Sequence, residues 1–479
     1  MKRWQDPSWV EEMRLGLDMN LMMSPPLAPE AGIAAGELDR LTPRMTEILQ
    51  ELEIDRDEGR LPFLTIPAHP TLVQEIKKYV RGVKGWVENF VVLGIGGSSL
   101  GARALQTALN HPAYNLLSRT MRKGFPRFFV ADNIDPDGFN ALLELVDLRK
   151  TLFNVVSKSG GTAETMSQYL IVRELLKRRG GNRKELDHLV ITTDPEAGNL
   201  RKIVRADAVA GFEIPPRLGG RFSVLSAVGL LPAAMVGIDI EELLAGARDM
   251  DQRCREANLW KNPAALSAAL SFLAYREKNK FIRVFMPYVD ALGGVGDWFA
   301  QIWAESLGKR VDRQGREIRT GQTPVSSRGA TDQHSQLQLY AEGPADKVIT
   351  FVGVKSYGTT LPIPPAGPSA PALGYLGGHT LNELIRSELQ ATRLTLAGNG
   401  RPSLLITLPR VNPFTVGQLL FLLELETYLC GQLLEINPLD QPGVEEGKNL
   451  AYALMGRKGY ENKIQGWEPF LKTDPRFIL

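Results

Sequence analysis

The chain has 479 residues, 43% hydrophobic and 23% charged, ordinary values for a globular protein long enough to build two cores. Its 56 Lys and Arg against 54 Asp and Glu leave a net charge of +2, so no overall field draws in nucleic acid or an anionic membrane. Cysteine occurs only at Cys254 and Cys430, which excludes a disulfide framework and suits a reducing compartment.

The opening MKRWQDPSWVEEM lacks the apolar core of a signal peptide. Residues 1–60 carry seven Lys/Arg against thirteen Asp/Glu and read as an acidic helical leader, the wrong sign for a DNA-reading head. A first α/β domain is expected over 61–235. In it FVVLGIGG reads as a strand entering glycines, and SSLGARALQTALN as a helix with Leu100, Ala104, Leu105 and Ala108 on one face. A strand at 127–132, helical residues 136–148 and the strand LFNVVS (152–157) follow. A helix from Glu164 and the buried strand HLVITTD (188–194) come next. Alternation of strand and helix with unbroken apolar strands predicts a doubly wound parallel sheet in three αβα layers.

The stretch VLSAVGLLPAAMVGI (224–238) contains Pro232 and is too short to span a bilayer, which needs about 20 residues. We expect a helical connection over 236–275 and a second α/β domain over 276–434, with strands at 280–288, 347–354 and 403–409 and helices near 296–307, 379–389 and 415–434. A helical C-terminal arm would occupy 435–479. The composition and elements point to a cytoplasmic protein.

Two strand ends invite comparison with phosphate-binding loops. GIGGSSLGAR (94–103) has Ser99 where a dinucleotide fingerprint needs its third glycine, and Ala102–Arg103 where a Walker loop needs Lys and Ser/Thr. NAD and ATP are therefore disfavoured. What remains is a glycine-lined approach to a helix N-terminus, with Ser98 and Ser99 available as donors or simple caps. In SKSGGTAE, Ser157, Ser159 and Thr162 can each donate to a phosphate oxygen. Lys158 adds a cation, Gly160 and Gly161 let the loop wrap, and the following helix aims its positive end inward. Arg221 follows Gly219 and Gly220, which would let another molecule come close. Gln301 and Glu305 lie four apart on one helix face. His334 is one of five histidines, with His69, His111, His188 and His379, and these spell no metal cluster.

Together VVLGIGGSSLG, SKSGGTAET, GGRFSVLSAVGLLP, QIWAESLGK and DQPGVEEGK (440–448) resemble, in order, the signature segments of the glucose-6-phosphate isomerase family. That likeness runs from about residue 88 to 455. It departs at GATDQH, where the family usually shows G-T-N-G-Q-H, and at Ser306–Leu307, where Ser-Asn is common. The resemblance implies two sugar-isomerase (SIS-type) domains and interconversion of glucose 6-phosphate and fructose 6-phosphate through a cis-enediol. Glu305 would carry the C1/C2 proton, and Arg221 would face the enediolate. His334 and Lys448 would open the ring, with Gln441 and Lys448 seven residues apart on one helix face. Gln301 and Gln441 would orient hydroxyls. Gly97, Ser98, Ser157, Lys158, Ser159, Thr162 and Gly220 would bind the sugar phosphate. It implies no metal or organic cofactor, and a homodimer in which His334 reaches the partner's site. Three other readings stay open at this point: a sugar-phosphate sensor, a related isomerase that also, or mainly, accepts mannose 6-phosphate, and an aminosugar synthase. The last begins with a nucleophilic cysteine, and this chain has none before Cys254.

Overall fold

The computed structural model describes residues 2–179 and 184–479. Ten strands build its two large sheets: β1 (Gly16–Asp18), β2 (Asn89–Leu93), β3 (Arg127–Ala131), β4 (Thr151–Val156), β5 (Leu189–Thr193), β6 (Ala210–Glu213), β7 (Ile282–Pro287), β8 (Thr323–Ser326), β9 (Lys347–Val354) and β10 (Ser403–Leu408). The first sheet runs β3-β2-β4-β5-β6, all parallel. In the second, β10-β9-β7-β8 are parallel, and β1 closes the edge antiparallel to β10.

Helices named below are α1 (Ala35–Asp57), α2 (Leu100–Leu109), α3 (Ala163–Arg179), α4 (Ala227–Met235), α5 (Ile240–Arg253), α6 (Pro263–Arg276), α7 (Gly293–Leu307), α8 (Leu381–Gly398), α9 (Pro413–Leu433) and α10 (Glu445–Leu454). The three-layer arrangement follows from the period of two along each central strand. Phe90 and Val92 of β2 pack in one cluster with Ala104 and Leu105 of α2. Val91 and Leu93 face the other way, toward Tyr169, Val172 and Leu176 of α3. Sheet two repeats the scheme, with Phe285 in the cluster of Phe299 and Trp303 from α7, and Val284 and Met286 in that of Leu389 and Leu396 from α8. Strands covered on both faces carry no polar alternation, which is why β2, β4 and β5 were readable as apolar runs.

Three edge strands escaped the sequence reading. AGFE (β6) contains glycine, TPVS (β8) contains Pro324, and β1 is three residues long inside the stretch taken for a leader. Instead of standing apart, residues 16–18 complete the second sheet.

Helix α9 is apolar nearly all round, and every residue from Phe414 to Leu433 is buried. It lies against α5 at a crossing where a Cβ on Gly246 would strike the Phe414 carbonyl and one on Gly417 the Leu243 carbonyl. Glu426 of α9 pairs at 2.8 Å with Arg283 of β7, both almost wholly buried, and the Arg283 guanidinium lies 4.1 Å from the Trp303 ring centre. That pairing fixes α7 between sheet two and α9. Cys254 and Cys430 are buried and unbridged, and burial pushes both thiols up to about 12. Among the described residues no helix is long and apolar enough to cross a membrane.

Candidate active site

In the first sheet the chain leaves β2 toward β3 on one side and proceeds from β4 to β5 and β6 on the other. The crevice beyond the carboxyl ends of β2 and β4 is therefore the topological switch point, where open α/β sheets hold their ligands. Both loops singled out from the sequence emerge there. Gly96 adopts φ +58°, a left-handed conformation that glycine enters without strain, and the turn Gly96–Ser98 delivers Ser98 to the crevice before α2 begins. Ser99 is buried and hydrogen-bonds the Gly96 carbonyl at 3.1 Å, so it braces the turn.

The second loop is drawn tight by its own hydroxyls. Ser157 Oγ and Thr162 Oγ1 are 2.9 Å apart, and the Gly160 amide donates to Ser157 Oγ at 3.2 Å. Gly161 N donates to Ser159 Oγ at 3.2 Å. Lys158 Nζ donates to the Leu218 carbonyl at 3.0 Å, and burial lowers its pKa against the raising influence of Asp194. Helix α3 starts at Ala163 with its N-terminus at this loop, a favourable seat for an anion.

Between the loops runs the segment 218–221. Gly97 touches it backbone to backbone: a Cβ there would lie 2.5 Å from Gly220 O and 2.6 Å from Arg221 N. The side chain of Arg221 is 2% exposed and spends all five N–H groups on protein acceptors. Nε donates to Ser306 Oγ at 2.7 Å, and Nη1 to Glu305 Oε2 at 3.3 Å and Gln441 Oε1 at 2.8 Å. Nη2 donates to the carbonyls of Pro438 at 2.6 Å and Asp440 at 2.9 Å. Burial lowers the Arg221 pKa and the neighbouring Glu305 and Asp440 oppose that, so the group stays a cation.

Helix α7 brings Glu305 to this point by packing antiparallel to α2. A Cβ on Gly294 would lie 2.5 Å from Thr107 Oγ1 near the end of α2, while one on Gly96, ahead of its start, would lie 2.9 Å from Gln301 Nε2. Gln301 Nε2 also donates to Glu305 Oε1 at 3.0 Å. One carboxylate oxygen is thus held by Gln301 and the other by Arg221, with the side chain 34% exposed. A carboxylate fixed at both oxygens and still open to the crevice is a competent proton carrier.

The arm behaves differently from the sequence reading. Gln441 precedes the turn Pro442–Val444, and α10 starts only at Glu445. Gln441 and Lys448 therefore share no helix face, and Gln441 braces Arg221. Lys448 is exposed and paired with Glu445 at 2.9 Å. It lies one turn from Tyr452, whose hydroxyl donates to the Gly161 carbonyl at 3.2 Å, so this face of α10 borders the second loop. His334 is exposed, and the segment leading to it passes the other end of α7: a Cβ on Gly293 would lie 3.3 Å from Arg328 Cδ, six residues before the histidine. Twelve residues of helix separate Gly293 from Glu305 by about 18 Å.

Two contributors went unread. Ser306 and Lys309 sit inside the quoted QIWAESLGK, and a lysine just past a helix end is a recognised partner for its last carbonyls. The carbonyls of Pro438 and Asp440 leave no side-chain signal at all.

The family model described as phosphoglucose isomerase matches residues 72–473. A protein named glucose-6-phosphate isomerase from Carboxydothermus hydrogenoformans is 49% identical over 468 residues, 98% of this chain and 100% of that one. One of the same name from Rubrobacter xylanophilus is 42% identical over 434 residues, 91% and 97% of the two chains. Among solved structures, a hypothetical protein from Thermus thermophilus superposes with a TM-score of 0.81 at 37% identity, covering 92% of this chain and 100% of that one. A glucose-6-phosphate isomerase from Chlamydia trachomatis shares the fold, with a TM-score of 0.70 at 24% identity over 84% and 77% of the chains. The switch-point loops, the braced carboxylate and these matches agree: the chain belongs to the phosphoglucose isomerase family.

Proposed function

We propose that the protein is an aldose–ketose isomerase that interconverts glucose 6-phosphate and fructose 6-phosphate, a step of glycolysis and gluconeogenesis. The observation that carries this reading is the Glu305 carboxylate, held by Gln301 and Arg221 beside two hydroxyl-rich loops at one switch point. The phosphate is received by Ser157, Ser159, Thr162, Lys158 and the α3 N-terminus, with Ser98 beside it. Binding of that remote group fixes the sugar so that C1 and C2 face Glu305. Glu305 takes the proton from one carbon and returns it to the other through the cis-enediol. Arg221 has every N–H engaged, so it acts by charge, stabilising the enediolate and Glu305 without competing for the proton.

Ring opening falls to His334 and Lys448. The passage of the segment before His334 at the far end of α7 from Glu305 supports delivery of the histidine by a second copy of the chain, in a homodimer with two shared sites. The reading also carries a cytoplasmic location. The test is turnover of fructose 6-phosphate in a dehydrogenase-coupled assay, with Glu305→Gln as the paired variant. That variant should lose exchange of the C2 proton and retain sugar-phosphate binding. Full turnover by Glu305→Gln would remove the carboxylate from its assigned role.

A further inference from the structure

Outside the groups already given a role, one cation lies against the base. Lys309 is two residues past the end of α7, and its side chain is 5% exposed. Its Nζ donates to the Glu305 carbonyl at 2.6 Å and to the Asp440 carbonyl at 3.0 Å. The first bond satisfies one of the four carbonyls that a helix end leaves without partners. The second reaches 131 residues along the chain to the arm. Arg221 Nη2 donates to that same Asp440 carbonyl, so two cations converge on one acceptor. The backbone that carries the Glu305 side chain is therefore held from below by Lys309, while its carboxylate is held from above by Arg221 and Gln301.

We propose that Lys309 is a positioning residue for the isomerisation: its ammonium ties the end of α7 to the arm at Asp440 and so fixes the Glu305 carboxylate against Arg221. It touches no substrate in this role. Losing the tie frees the last turn of α7, and the carboxylate drifts from the two carbons between which it carries the proton. This rests on the assignment of Glu305 as base.

The groups facing the ammonium also make the tie sensitive to pH. Burial is the largest influence, and the Arg221 cation comes next; the carboxylates of Asp440, 3.7 Å away, and Glu305 oppose both. The balance brings Lys309 down to about 8. Below that value its two bonds are charge-assisted, and above it they become weaker neutral ones. The wild-type kcat should accordingly decline as pH rises through about 8.

The experiment compares Lys309→Met and Lys309→Arg with wild type for fructose 6-phosphate turnover across neutral and alkaline pH, alongside binding of a hexitol 6-phosphate that cannot isomerise. Lys309→Met should lower kcat about 10- to 100-fold, the scale of an ångström's displacement of a reacting group. Affinity for the hexitol phosphate, set by the loops at residues 98 and 157–162, should stay within about two-fold. Lys309→Arg keeps its charge at every pH, so it should recover kcat to within about five-fold and lose the alkaline decline. Wild-type kcat in the Met variant would overturn the proposal, and so would equal losses of kcat and analogue affinity or an Arg variant that keeps the decline. Should the Met variant not fold, the pH profile of the Arg variant decides alone. An inactive wild type or an active Glu305→Gln would instead refute the underlying reading.

Discussion

Gly97 and Gly220 are neighbours in space, yet adding one methyl group to each should have opposite consequences. A Cβ on Gly97 would meet Gly220 O at 2.5 Å and Arg221 N at 2.6 Å, with Gly220 C closer still. These are backbone atoms and cannot rotate aside. Reaching ordinary van der Waals separation requires the turn 96–98 and the segment 219–221 to part by about 1 Å. Arg221 cannot follow such a shift without disturbing five hydrogen bonds, two of which hold Glu305 and Gln441. Gly97→Ala should therefore cost about 1–3 kcal/mol of stability through overpacking. It should also lower kcat about 100-fold, since Glu305, the proposed base, and its arginine are displaced by an ångström. A Cβ on Gly220 meets nothing nearer than Gly97 Cα at 3.9 Å, an ordinary contact. Gly220→Ala should stay within about 0.5 kcal/mol of wild type in stability. Coupled-assay kinetics and denaturant unfolding of both variants read the contrast. If Gly97→Ala retains wild-type kcat, or if both variants are impaired alike, close backbone approach is not what Gly97 supplies.

On the proposed shared-site homodimer, mixing the Glu305→Gln and His334→Ala proteins and letting protomers exchange should restore about one quarter of wild-type activity, because half the dimers then carry one intact site; no recovery would place His334 in the site of its own chain. Arg221→Lys loses the rigid fork that serves five acceptors and should lower kcat about 10²- to 10³-fold, although a cation is retained; near-normal kcat would show that charge alone suffices. Glu424 is fully buried, neither carboxylate oxygen has a partner among the described residues, and burial pushes its carboxyl well above the usual range. The folded state thus holds a proton that the unfolded chain releases above its own pKa, so stability is lost as pH rises from the ordinary carboxylate range toward the folded value. Glu424→Gln cannot titrate, and its melting temperature relative to wild type should climb as pH rises above the ordinary glutamate pKa, where only the unfolded glutamate is ionised; a pH-independent difference would contradict the assignment.

Residue types alone were enough to read the fold class and to place the two glycine- and serine-rich loops within it. Strands buried on both faces must be apolar throughout, so β2, β4, β5 and β9 announced themselves, and a glycine- and serine-rich run at the end of such a strand can only be a loop at the carboxyl edge of the sheet. The ordered motifs likewise contain Glu305, Arg221 and Gln301, which the fold brings into one hydrogen-bonded group. Edge strands were lost where hydrogen bonding to a single neighbour tolerates glycine, proline or three residues. How the site is held emerges from the three-dimensional packing. The five acceptors of Arg221 come from residues 305 to 441, and two of them are backbone carbonyls, as are both acceptors of Lys309. A carbonyl is the same group in every residue, so no letter of the sequence marks which ones converge. The packing of α7 on α2 and the return of the arm over residues 438–441 select them.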